Sequence, residues 1–207
     1  MSEHRAVPTG WPEVRLGDVV DIRSGPSGAT VGSGDRQTEG HPMIMPKDLV
    51  DGRVRSEGLA RVRHDVAARL TRYSVLRGDV LVTRTGTVGR IAWVPEESEG
   101  WLFSTGLLRL RPHRINSRYL VYYLTLPEIQ DWFEHNRAGT AIPALNASTL
   151  GSMPVLVPST ERQETIVRHL DLLNEQAEVH ARISRTAERA RDVLAQLLIR
   201  GVEPPPE

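Results

Sequence analysis

Cysteine is absent from the 207 residues, which excludes disulfides and thiolate zinc sites. Lysine occurs once, as Lys47 between Pro46 and Asp48. A phosphate-binding loop of the Gly-Lys-Ser/Thr type is therefore excluded, and so is a nuclease core that sets a lysine beside paired carboxylates. No apolar stretch has the length of a membrane span, and the first residues, MSEHRAVPTGWPEV, carry no signal-peptide core. The expectation is a soluble cytoplasmic protein with no membrane partner. The seven histidines are scattered and never form a metal-ligand spacing, so no metal site is expected. Neither a Gly-x-Ser-x-Gly elbow nor an Asn/Asp-Pro-Pro-aromatic methylation motif is present. Catalytic residues are not expected, nor is a cofactor of the chain's own.

Net charge is also missing: 26 basic residues balance 26 acidic ones. The balance is not local. Residues 53–118 hold 13 arginines against 6 acidic residues, whereas residues 1–52 hold 5 basic against 8 acidic. A neutral chain thus conceals a positive middle, the composition of a polyanion footprint.

Glycine and proline are absent from residues 161–200 and frequent before them. Ser159 or Thr160 can cap a helix there, and Glu161 suits its positive end. A helix over 161–200 would be about 60 Å long. Its apolar residues form two stretches of coiled-coil spacing: Ile166, Leu170, Leu173 and Ala177, then Ile183, Ala187, Ala190, Leu194 and Leu197. The shift between them predicts a discontinuity near 180–184. Such a seam needs a partner helix. Folding back onto the chain's own globule is the alternative.

Upstream, many short β-type runs with a few helices predict an α+β fold, β-rich in its first part. Strands are expected at 43–45, 79–84, 89–94 and 102–110, an extended run at 54–62, and helices at 64–70, 117–125 and 127–135. Residues 24–40 hold five glycines in 17 positions with only Ala29 and Val31 apolar. They do not follow an apolar strand, so a dinucleotide fingerprint is not expected. A flexible recognition loop and a plain surface loop both remain open. The sharpest local signal is Arg77-Gly78-Asp79, a turn into the strand Val80-Leu81-Val82, followed by Thr83-Arg84-Thr85-Gly86-Thr87-Val88-Gly89-Arg90. Hydroxyls and glycine amides flanked by arginines suit phosphate contacts, although an ordinary hairpin explains the same residues. Residues 137–146, from Arg137 to Asn146, are too polar for core, and Ile142 and Leu145 suit loop anchors.

These segments occur in a recognisable order. Trp11-Pro12-Glu13-Val14-Arg15-Leu16-Gly17-Asp18 is followed by Leu76-Arg77-Gly78-Asp79-Val80-Leu81 and the threonine-rich turn. Leu108-Arg109-Leu110-Arg111-Pro112, Ala144-Leu145-Asn146-Ala147-Ser148-Thr149-Leu150 and Met153-Pro154-Val155-Leu156-Val157-Pro158 come next, running into Glu161-Arg162-Gln163-Glu164. In this order the chain resembles the DNA-specificity subunit of type I restriction–modification systems. The resemblance spans nearly the whole chain and takes the form of a half-length subunit, with one target-recognition domain and one helix. It implies a target-recognition domain at 1–158, a long dimerisation and spacer helix at 159–201 and a disordered tail at 202–207. The implied partners are double-stranded DNA, a second copy of the chain and a methyltransferase subunit that brings the S-adenosylmethionine chemistry. A motor–nuclease restriction subunit is left open. A two-fold pair would read a bipartite palindrome.

Candidate DNA contacts are Arg36 and Gln37 in the glycine-rich loop; Arg53, Arg55, Arg61 and Arg63; Thr83, Arg84, Thr85, Thr87 and Arg90 at the threonine turn; and Asn136, Arg137 and Thr140. The alternation of Arg61 and Arg63 is that of a strand face entering a groove. Two other readings stand beside this one: a partner scaffold of a defence complex that does not touch DNA, and a small methyltransferase in its own right.

Overall fold

The computed structural model describes residues 10–26, 36–37, 39–136 and 144–201, with only the backbone of 36–37. They divide into two compact units, Met1–Glu164 and Thr165–Glu207.

The first unit is an α+β body. A short strand β1 (Glu13–Arg15) pairs antiparallel with β12 (Pro154–Leu156), joining the two ends of the unit. Between them lie two larger sheets. The central one has six strands in the order β2, β11, β8, β9, β6, β5. These are β2 (Val20–Ser24), β5 (Leu49–Val50), β6 (Gly52–Val54), β8 (Val80–Thr83), β9 (Ile91–Trp93) and β11 (Leu107–Pro112). The smaller sheet has the order β10, β4, β7, β3, comprising β3 (Arg36–Gln37), β4 (His41–Ile44), β7 (Ala60–Val62) and β10 (Leu102–Phe103).

Residue alternation along the strands explains the layering. Successive side chains of a strand point to opposite faces. Met43 and Leu102 pack with Val62 and with Val66, Ala67 and Leu70 of the α1 region (His64–Arg69). Their neighbours Ile44 and Phe103 pack with Leu81, Ala92 and Leu107 of the central sheet. The small sheet therefore lies between α1 and the central sheet. All four residues of β8 are buried, as expected for a strand covered on both faces. Its other face receives α2 (Ser117–Leu124), with Leu120 and Leu124 fully buried. α3 (Pro127–Asn136) and α4 (Ala147–Gly151) complete that layer.

The expected strands at 79–84 and 89–94 form the β8–β9 pair, with Leu81 opposite Ala92. The expected helices at 64–70, 117–125 and 127–135 form as α1, α2 and α3. The continuous strand expected at 102–110 does not form. It is two strands in two sheets, β10 and β11, separated by a turn that Leu107 N closes on Ser104 O at 3.1 Å. The helix α4, unmarked in the sequence reading, starts on Asn146, whose side chain accepts from Thr149 N.

The long helix α5 (Thr160–Ile199) is an unbroken α-helix of 40 residues, so the interruption expected near 180–184 is absent. Its first turn belongs to the first unit. There Gln163 is buried; its Oε1 accepts from Asn116 N and its Nε2 donates to Pro158 O, each at 2.8 Å. The same asparagine caps α2 by accepting from Arg118 N and Tyr119 N.

Candidate nucleic-acid interface

The residues predicted to contact DNA are sorted by what they already bond. Thr83 is buried, at the end of β8. Its hydroxyl donates to Thr87 O and accepts from Arg90 N. It staples the turn 84–89 from inside rather than offering a free hydroxyl. Gly89, with φ +86°, closes the same turn against α3, where a Cβ would stand 3.0 Å from the Phe133 ring. Arg90 donates from its guanidinium to Leu49 O, tying the turn to the sheet edge. Thr85 and Arg84 are half-buried and Thr87 is exposed.

Arg61 donates to Gly40 O at 2.8 Å. β7 ends at Val62, and Arg63 is the residue before α1, so the strand-face alternation of Arg61 and Arg63 stops one residue short. Arg63 instead forks onto Asp65, with Nε and Nη2 at 2.9 and 2.6 Å from its two oxygens. That pairing holds the Asp65 carboxyl down at about 2, from an ordinary 3.8. Because the folded value is depressed, the pair's contribution to stability is complete above pH ~3.8 and is lost as pH falls through ~2. NMR titration should find the Asp65 carboxyl midpoint near 2. In Arg63→Gln it should return toward 3.8; a midpoint unchanged by that substitution would contradict the assignment.

Arg53 and Arg55 are both exposed, on β6 and just after it. Asn136 donates its side-chain amide to Trp132 O at 2.9 Å, a local cap at the end of α3. Arg36 and Gln37 lie on β3, opposite Val62 and Arg61; their side chains fall outside the described residues, as do Arg137 and Thr140.

Two arginines of the positive middle form part of the frame. Arg109 and Arg111 on β11 share a strand face with Leu107. Asp79, 1% exposed, receives a two-pronged bond from Arg111, Nε to Oδ1 and Nη2 to Oδ2, both 2.8 Å. It also caps the turn by accepting from Leu76 N at 2.8 Å. Arg109, 3% exposed, donates to Asp21 at 2.8 Å and lies 6.0 Å from the Phe103 ring centre. Burial lowers the Arg109 pKa, whereas the bonds to Asp79 raise that of Arg111. Arg77-Gly78-Asp79 and Leu108-Arg109-Leu110-Arg111-Pro112, two motifs that carry the resemblance, are thus one ion network.

The predicted seam residues divide on the unbroken helix. At about 100° per residue, Ile166, Leu170, Leu173 and Ala177 cluster roughly 110° around the axis from Ile183, Ala187, Ala190, Leu194 and Leu197. The second group shares its face with Leu172 and Val179, which the sequence reading left out. Leu172, Val179, Ile183, Ala190 and Leu197 lie along one face of the helix, and all are solvent-exposed, Ile183 by 59%. No described helix is long and apolar enough to cross a membrane.

The family model for the type I restriction modification DNA specificity domain matches residues 8–189. The type I restriction enzyme EcoBI specificity subunit of Escherichia coli is 25% identical over 198 residues, covering 94% of this chain and 42% of that protein. A solved structure described as showing complex assembly and conformational transition of the type I R-M system superimposes with a TM-score of 0.71 at 26% identity, over 93% of this chain and 45% of that one. The HsdS subunit of Thermoanaerobacter tengcongensis shares the fold, with a TM-score of 0.60 at 23% identity over 84% of this chain and 40% of its own. The chain therefore spans less than half the length of these relatives, and it belongs to the type I restriction–modification DNA-specificity domain family.

Proposed function

We propose that the chain is a DNA-specificity subunit of a type I-like restriction–modification or related defence complex. It holds one target-recognition domain, reads double-stranded DNA through that domain, and pairs its long helix with that of a second copy. Two readers related by a two-fold axis then face a bipartite, palindromic site. A methyltransferase subunit would be positioned by the pair and would supply the chemistry on the base.

The observation that carries this reading is the family match over residues 8–189, together with the exposed apolar face of α5. An amphipathic helix of this length gains most of its stability from packing its apolar face. The face of Leu172, Val179, Ile183, Ala190 and Leu197 is the one offered for pairing. The DNA side rests on the arginine excess of residues 53–118. Phosphate contacts release counterions, so affinity should fall steeply with salt.

The test is a salt titration of binding to random duplex and to duplex enriched by selection. The expected result is a linear fall of log K with log salt, with the selected duplex bound more tightly throughout. A flat salt response with no preference would remove the DNA-reading role and leave the scaffold alternative.

A further inference from the structure

At one edge of the central sheet β2 runs antiparallel to β11, with Arg23 directly opposite Arg109 and Asp21 directly opposite Arg111. Residues opposite each other in a ladder share a face, so these four side chains stand on one side of the sheet. Ile22 points to the other side, where a Cβ on Gly151 of α4 would stand 3.6 Å from its Cδ1. Residues 72–74 border the charged group. Arg23 Nη1 lies 3.4 Å from Arg72 O, and Arg109 Nη1 lies 3.4 Å from Ser74 O. The Arg72 guanidinium stands 4.8 Å from the centre of the Tyr73 ring.

The charges of this group do not balance. Arg23, Arg72, Arg109 and Arg111 meet only Asp21 and Asp79, and both carboxylates are committed. Asp79 takes the fork of Arg111 and lies 3.9 Å from Arg109 Nε, and Asp21 accepts from Arg109 at 2.8 Å. Among the described residues Arg23 and Arg72 form no ion pair, and both are exposed. Like charges directly opposite in a ladder are unfavourable. Burial first, then the charges of Arg111 and Arg23, hold the Arg109 pKa down. The fold thus sets Arg23 against a like charge, where a neutral side chain would carry no such cost. Arg23 also leads directly into the glycine-rich stretch 24–40. Gly25 N donates to Leu107 O at 3.0 Å and Thr105 Oγ1 donates to Pro26 O at 2.6 Å, which ties the entry of that stretch to the start of β11.

We propose that Arg23 and Arg72 are contacts to the phosphate backbone of DNA at this edge of the sheet. The proposal rests on the DNA-reading role above and names one set of contacts within it. A phosphate brings the negative charge that the group is short of, and acceptor oxygens that a guanidinium fork matches. Arg109 and Arg111, engaged by their aspartates, are the frame beneath. Such contacts set position and register and carry no base information. The local charge count hides Arg23, because residues 1–52 are acidic in excess. Strand pairing moves it among the arginines of the positive middle.

The experiment measures duplex binding by fluorescence anisotropy with the full chain, between about 50 and 200 mM salt, for Arg23→Gln, Arg72→Gln and both together. Each single change should lower the slope of log K against log salt by about 0.9, and the pair by about 1.8. The loss should be the same factor on selected and random duplex. Arg15→Gln, an exposed arginine on β1 and outside the central sheet, should keep the wild-type slope. The urea midpoint of Arg23→Gln should equal or exceed that of the wild type, because the change removes a like charge opposite Arg109. A wild-type slope in either single variant would overturn the assignment of that residue. In both, it would overturn the proposal and leave the DNA-reading role standing. A lower urea midpoint in Arg23→Gln would make Arg23 a support of the fold, and an equal loss of slope in Arg15→Gln would make the effect one of bulk charge; either overturns the proposal. A loss confined to the selected duplex would overturn the phosphate assignment. A flat salt response in the wild type would remove the DNA-reading role itself, and these contacts with it.

Discussion

Asp79→Ala should lower the stability of the first unit by about 3–5 kcal/mol, the cost of leaving a buried charge without its partner. Three effects combine. Arg109, 3% exposed, loses the carboxylate 3.9 Å from its Nε and keeps only the half-exposed Asp21. Arg111 loses both of its charge-assisted bonds. Leu76 N loses its cap, and the turn entering β8 loosens. Arg111→Ala should cost less, because its side chain is 34% exposed and water recovers part of the lost interaction. Adding Arg109→Met to Asp79→Ala should restore part of the loss, since an apolar side chain over Phe103 needs no counter-charge. Urea unfolding followed by circular dichroism checks the set. The midpoint should fall by roughly 1–2 M for Asp79→Ala. A fall no larger than for Arg111→Ala would mean that the network does not hold the sheet.

Ile183→Asp together with Leu197→Asp should separate the proposed pair of chains into monomers while each chain stays folded. Both residues lie on the same exposed face of α5, and each substitution would bury an unpaired carboxylate in the helix–helix seam. At several kcal/mol for such a group, the two together should weaken association by at least ~1,000-fold. Light scattering at micromolar concentration should therefore read two copies for the wild type and one for the variant. Ala177→Asp provides the contrast. On the unbroken helix Ala177 belongs to the other apolar cluster, about a third of a turn away, so this variant should remain paired. A monomeric wild type with a well-formed helix would refute the assembly. Loss of pairing in Ala177→Asp with retention in the double variant would move the seam to the face of Ile166, Leu170 and Leu173.

How legible the fold was depended on how local its causes are. The β8–β9 pair and the helices α1 to α3 follow from alternation, capping and periodicity within a few residues, and they formed where expected. The run 102–110 reads as one strand because its apolar residues are nearly continuous. It divides because Gly106 must pass close to Pro46, 60 positions earlier in the chain, a contact that no local pattern announces. The discontinuity expected in α5 has the opposite origin. The apolar residues change line near 177–183, but the backbone has no cause to break there, since the segment contains neither glycine nor proline. Leu172 and Val179, set aside when the seam was traced from Ile166, lie on the same face as Ile183 and Leu197.

Of the candidate site, the sequence alone determined the positive middle, the lack of a Gly-Lys-Ser/Thr phosphate loop and of any cysteine, and the order of segments that marks the family. Those are properties of residue type and of near neighbours. Which arginines remain available was decided only by tertiary structure. Arg111 is taken by Asp79, 32 residues away, and Arg90 by the carbonyl of Leu49, 41 residues away. Charge is written in the chain residue by residue; whether it faces a partner or an incoming polyanion depends on what folding places within about 3 Å of it.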